Sequence, residues 1–259
     1  MTTQNSMTSC GVPPPTEEEA KCVEWLRQQF PQSVLDAEDV HFFRGNTYLR
    51  FARARNANVE KAAAMLKACV EWRREFKPYK ITVEDVSEAM EQLTIRVGGR
   101  CREGRPLLIM TVGAPNSCDA QARTRQLVYI MEEMLRKGYE QLTWVMDFGE
   151  MGKHPRDPRS TESRKLTMQI MQDYYPELLG KMLLYRYPWY VRAMYALVNS
   201  FIDKRTRKKI VLVAHEEKLL LQHVESDQLP ESLGGTLRIS GERTLNELPC
   251  HSGDGAYIM

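Results

Sequence analysis

Between positions 204 and 209 the chain carries Lys204, Arg205, Arg207, Lys208 and Lys209, broken only by Thr206, directly behind a strongly apolar stretch. Cations gathered in so short a span attract anionic surfaces, and each exposed one gains about 1 kcal/mol at an anionic membrane. A solubilising loop accounts for the same run equally well. Side chains capable of covalent or metal chemistry show no comparable grouping. Asp147, Phe148 and Gly149 spell the D-F-G triplet of protein kinases, but no glycine-rich loop, H-R-D or V-A-I-K accompanies it, so the triplet reads as the end of a strand. His215 beside Glu216 lacks the second histidine of a zinc protease, and His41, His154, His223 and His251 have no ligand spacing. The six cysteines, Cys10, Cys22, Cys69, Cys101, Cys118 and Cys250, form no C-x-x-C pair, which argues against zinc or a disulfide framework and for reduced thiols in the cytosol. With no P-loop, G-x-S-x-G or dinucleotide fingerprint either, the residues predict no catalysis, no cofactor and no metal.

The 259 residues are 42% hydrophobic and 27% charged, an ordinary globular balance, and the net charge of +2 is too small to suggest nucleic acid as a partner. Any electrostatic role must be local. No apolar run approaches the roughly 18 residues that cross a bilayer, and MTTQNSMTSCGVPPP lacks the regions of a signal peptide, so a soluble, cytoplasmic monomer is expected.

The elements that must position these groups follow from periodicity. Residues 1–15 have nothing to bury and predict disorder. Thr16 with Glu19 forms a capping-box pattern ahead of Val23, Leu26 and Phe30, and helices are expected near 46–55 and from 59, where Val59, Ala62, Leu66, Cys69, Arg73 and Phe76 share a face. These give a helical lobe over 16–80. From 90 to 240 short apolar runs alternate with helical patterns: strands at 107–112, 142–148, 182–187 and 210–214, helices at 120–137, 160–171 and 188–201. Alternation of this kind predicts an α/β fold with a largely parallel sheet, Gly98, Gly99 and Gly104 forming a loop ahead of its first strand. Residues 241–259 form a tail.

The helix at 188–201 is apolar around much of its circumference: Trp189, Val191, Met194, Tyr195, Leu197, Val198 and Phe201 exceed one core-facing stripe. Its second face must meet lipid tails or a membrane, unless the helix is wholly buried in a core.

YYPELLGK at 174–181, this aromatic helix, FIDKRTRKKIVLV at 201–213, LPESLGG at 229–235 and LRFARARNANVEKA at 49–62 together resemble the CRAL-TRIO lipid-binding family, in particular its phosphatidylinositol and phosphatidylcholine transfer proteins. The resemblance implies a lipid-binding cage of sheet and helices that takes up one phospholipid, with the amphipathic helix, carrying Trp189, Met194, Tyr195, Val198 and Phe201, as a gate over its mouth. It also implies a head-group site: Arg55 at the phosphate-contacting arginine, Glu177 at the inositol-side glutamate, Thr206 and Lys209 at the threonine and lysine that meet the phosphate. An arginine fork, an ammonium and a hydroxyl suit a phosphodiester, and a carboxylate suits sugar hydroxyls. Lys204, Arg205, Arg207 and Lys208 would dock the mouth on a membrane, making association peripheral. Asn56 and Lys204 depart from the lysine and proline usual in these motifs. Leu142 and Trp144 stand where phosphatidylcholine binders carry paired hydroxyls, which disfavours that lipid.

Two acyl chains hold on the order of 30 methylenes, so free desorption is opposed by roughly 25 kcal/mol and a sealed apolar interior is required. Met134, Met168, Met171, Met182 and Met194 are candidates for an adaptable lining. Two other readings remain open on the sequence: a carrier or sensor of another hydrophobic ligand, such as an isoprenoid, sterol or retinoid-like molecule, and a protein-interaction adaptor whose cavity has collapsed.

Overall fold

The computed structural model describes residues 12–198 and 204–238. Helix α1 (Glu17–Gln29) opens with the expected capping box: Thr16 Oγ1 accepts from the Glu19 amide at 3.2 Å, and Glu19 Oε2 accepts from the Thr16 amide at 3.1 Å. Two orphan amides are satisfied at once. Glu19 also takes the Arg53 guanidinium, which reaches the Pro13 and Pro14 carbonyls, while Val12 is buried. Of residues 12–15, part of the segment expected to be disordered, Val12 is buried and Pro13, Pro14 and Pro15 are exposed, with Arg53 donating to the first two carbonyls. Residues 1–11 and the tail from 239 lie outside the described residues.

Helices α2 (Thr47–Ala54) and α3 (Val59–Phe76) complete the lobe around Leu26, Phe42, Phe43, Phe51 and Leu66. Between them Asn56 and Ala57 take left-handed backbone conformations, and the Ala57 amide closes back onto Ala52. Asparagine tolerates that region better than lysine, which gives the departure at position 56 a backbone reason. The short α4 (Ser87–Glu91) leads into the sheet.

Five strands lie in sequence order: β1 (Ile95–Arg100), β2 (Pro106–Thr111), β3 (Leu142–Asp147), β4 (Leu179–Tyr185) and β5 (Ile210–Ala214). β2 to β5 pair in parallel and β1 runs antiparallel to β2. Gly98 and Gly99 are thus strand residues, not loop. A Cβ on Gly98 would sit 3.0 Å from Ile109 and one on Gly99 2.6 Å from the Gln228 carbonyl oxygen, so strand and neighbour approach only without side chains. Only Gly104 turns, at a φ of 78°.

Among the described residues five helices connect or follow the parallel strands: α5 (Ala120–Arg136), α6 (Arg159–Asp173), α7 (Trp189–Val198), α8 (Lys204–Lys209) and α9 (Glu217–Leu221). One sheet face packs α5 through Leu108, Trp144, Leu127, Ile130 and Met131. The other packs Leu107, Ile109, Val145, Leu183 and Val213 against Leu220, Val224 and Leu229. Gly235 closes this second layer: a Cβ there would lie 1.9 Å from the Leu229 carbonyl oxygen, leaving no room for any other residue.

The first face is unevenly covered. Register aligns Leu108, Trp144, Met182 and Ile210 in one row and Met110, Met146, Leu184 and Leu212 in the next. Leu108 and Trp144 are buried, whereas Met182, Ile210 and Leu212 are only half-buried. An apolar strip along β4 and β5 is left partly open.

Candidate functional site

The turn between α6 and β4, Tyr174 to Leu178, is held from three directions. The Tyr174 ring stacks on Trp72 of α3 with centroids 4.2 Å apart, and the Cys69 thiol donates to the Tyr174 carbonyl at 3.6 Å. The buried Tyr175 hydroxyl donates to Glu132 of α5 at 2.5 Å. Glu132 in turn takes two hydrogen bonds of 2.8 Å from Arg73, whose guanidinium also holds Asp39 in a bidentate pair, one arm at 2.7 Å. His41 completes the group 3.0 Å from Glu132.

Burial alone would raise the Glu132 pKa, but the Arg73 charge, its hydrogen bonds and those of His41 and Tyr175 hold it far below the usual carboxylate range. Asp39, His41 and Glu132 bring metal-ligand atoms within 4.8 Å of one another. Both carboxylates are already spent on the Arg73 guanidinium, which is the cation of this cluster. Arg73 and Glu132 were not singled out by sequence reasoning. A signal existed, since Arg73 shares the apolar spacing of Leu66 and Cys69 on α3.

The clamped turn presents Glu177 with a left-handed φ of 60°. Its carboxylate receives Lys209, from the end of α8, at 2.8 Å, both side chains being mostly shielded from solvent. The structure therefore brings together two of the four expected head-group residues, 32 positions apart. Arg55 ends α2 and donates to the Ala54 carbonyl at 3.0 Å. It lines a groove of about 340 Å³ with Lys61, Met65, Asp173 and Tyr174. Thr206 lies on α8, one helical turn before Lys209. The side chains of Thr206, Lys204 and Arg205 fall outside the described residues, while Arg207 is half-buried and Lys208 exposed. The cations form a helix where a loop was one reading.

Helix α7 is not a core helix. Trp189 is 81% exposed, Leu197 73% and Met194 61%, and Tyr195 is half-buried. Phe201 and the Val198 side chain lie outside the described residues. Just before α7, Arg186 takes a left-handed conformation and binds Asp147 through two hydrogen bonds of 2.8 and 2.6 Å. Asp147, the last residue of β3, thus fixes the root of the exposed helix. Of the methionines proposed as lining, Met134 is core, Met171 and Met182 are half-buried, and Met168 is exposed. Among the described residues no helix is long and apolar enough to cross a membrane.

The family model for the CRAL/TRIO domain matches residues 91–235. Among curated proteins, Patellin-6 of Arabidopsis thaliana is 27% identical over 210 residues, 73% of this chain and 50% of that protein. The Sec14 cytosolic factor of Schizosaccharomyces pombe is 27% identical over 223 residues, 78% of each chain. The phosphatidylinositol transfer protein PDR17 of Saccharomyces cerevisiae is 28% identical over 207 residues, 73% of this chain and 57% of that protein. The chain spans half or less of the length of the plant patellins it matches. The solved structure of Sfh5 superposes with a TM-score of 0.62 at 17% identity, covering 93% of this chain and 94% of that one, which is a likeness of fold.

Proposed function

The chain belongs to the CRAL/TRIO family of lipid-binding and lipid-transfer proteins, and from that premise we propose that it holds a single phospholipid, phosphatidylinositol, and carries or presents it at cytoplasmic membrane faces without converting it. The observation that carries this reading is the Lys209–Glu177 pair, one cation and one carboxylate set 2.8 Å apart beside the strip of half-buried β4 and β5 side chains. An ammonium can turn to a phosphodiester while the carboxylate accepts from inositol hydroxyls, so the pair offers the two kinds of group that such a head group needs. Arg55 and Thr206 complete the clasp in this reading. PDR17 carries phosphatidylinositol transfer in its name, which supports the choice of lipid.

Helix α7 acts as the gate and α8 as the docking cations. A helix showing Trp189, Met194 and Leu197 to solvent gains from burial in an interface, and indole rings favour the boundary between head groups and acyl chains. The strip at Met182, Ile210 and Leu212 receives the acyl chains. The association is peripheral and the protein acts as a monomer.

The test is mass spectrometry of lipid co-purifying with the chain from native cytosol, followed by a vesicle-to-vesicle transfer assay. Bound phosphatidylinositol and a transfer rate above background are expected. Recovery of an isoprenoid, sterol or retinoid instead, or of no lipid at all, overturns the assignment.

A further inference from the structure

Among the described residues three buried side-chain polar atoms lack a hydrogen-bond partner: Arg50 Nε, Gln126 Oε1 and Trp144 Nε1. Arg50 already binds Glu140 and Thr47, and Gln126 donates to the Ile95 carbonyl at the covered edge of the sheet. Trp144 is different, since its indole N–H is its single polar group and makes no bond. Buried indoles usually find an acceptor, because an unpaired donor in an apolar surround forfeits its hydration. The ring is 6% exposed and stands in the sheet row between buried Leu108 and half-buried Met182, with Met146 two residues along the same face.

We propose that Trp144 is a ligand-binding residue whose indole N–H donates to an acyl ester carbonyl of the bound glycerolipid. This rests on the phospholipid reading above. The surround selects the chemistry: Leu108, Met146 and Met182 offer no countercharge, so a phosphate oxygen would be buried beside one neutral donor at high cost, whereas a neutral carbonyl needs one donor only. Methionine supplies the access route. Met146 and Met182 are unbranched and can shift as the glycerol backbone enters next to the ring, exchanging an orphan donor for a paired one. Position 144 then senses the linkage of the acyl chains, a feature separate from the head group read at Glu177 and Lys209.

The experiment loads the full chain from vesicles containing equal amounts of diacyl phosphatidylinositol and its dialkyl ether analogue, and reads the bound ratio by mass spectrometry. The wild-type chain is expected to favour the ester about fivefold, the value of one neutral hydrogen bond. Trp144→Phe, which keeps an apolar ring and removes the donor, is expected to bring the ratio near one. Should that variant fold poorly, benzothienylalanine at 144 replaces the N–H by sulfur with the ring size preserved and is expected to give the same result. A wild-type chain that binds both lipids equally, or variants that retain the preference, overturn the inference while leaving lipid binding intact. A wild-type chain that takes up neither lipid overturns the phospholipid reading itself.

Discussion

Tyr175 donates its hydroxyl hydrogen to Glu132 across 43 positions of sequence, at 2.5 Å, and in doing so ties the turn that bears Glu177 to the central helix α5. Both groups are buried, and the carboxylate is ionised because Arg73 faces it. A hydrogen bond to a charged acceptor contributes about 1.5–3 kcal/mol. Tyr175→Phe removes the bond with almost no change of shape, so urea denaturation should show a loss of that size. Phosphatidylinositol binding should weaken as well, since Glu177 loses its anchor. An unchanged denaturation midpoint would contradict the role given to this pair.

Within this network Glu132 contributes to the acid limb of stability, whereas Asp39, whose pKa burial holds above its ordinary value, acts with the opposite sign. The native pKa of Glu132 lies below its ordinary value of 4.5. A depressed native pKa contributes stability that is present above the unfolded pKa and lost as pH falls through the native one. Asp157 adds to this with the same sign: burial opposes ionisation, but hydrogen bonds from Arg123 and Arg159 bring it down to about 2. Stability should therefore decline steadily from about pH 5 to pH 3. Glu132→Gln should start lower, because Arg73 loses a buried countercharge, and show a shallower decline over that range. Parallel pH profiles for the two proteins would refute the assignment.

Lys209→Ala separates binding from folding. The Lys209–Glu177 pair is shielded but borders solvent, and pairs of this kind contribute about 1 kcal/mol or less. Thermal unfolding should shift by no more than a few degrees, while phosphatidylinositol transfer should fall to background. Transfer at the wild-type rate would remove Lys209 from the clasp.

Trp189→Glu tests helix α7 on the same principle. A side chain 81% exposed contributes little to the folded state, so stability should change by less than about 0.5 kcal/mol. Exchange at vesicles should slow at least severalfold, because a carboxylate resists entry into an anionic interface. A large loss of stability would show that the residue serves packing instead.

Much of the architecture was legible because hydrophobic period and punctuation agreed. The last parallel strand begins and ends where its apolar run does, at Ile210 and Ala214, and the Thr16–Glu19 box starts the first helix as its spacing implied. The first strand was not legible. Arg96, Gly98, Gly99 and Arg100 break its alternation, and the glycines are there because Ile109 and Gln228 approach too closely for side chains. The residues proposed for a head group stood out through motifs rather than periodicity, and the fold brings Glu177 to Lys209. The groups that support them stayed hidden because Glu132 looks like an ordinary helix-surface charge, and the place of Arg73 on the apolar face of α3 does not name its partners. Their partner, Asp39, comes from a 3₁₀ segment with no pattern of its own.

The charge cluster around Arg73 also bears on where the chain can be divided. Glu132 belongs to the matched stretch 91–235, but the guanidinium that neutralises it comes from α3, as does the indole under Tyr174. A fragment trimmed to that stretch would lose Arg73 and His41 as partners of Glu132 and would uncover the apolar surface that Trp72 and Phe76 cover. The helical lobe is thus an integral part of the folded unit, and the sheet portion expressed by itself should unfold at lower urea than the full chain.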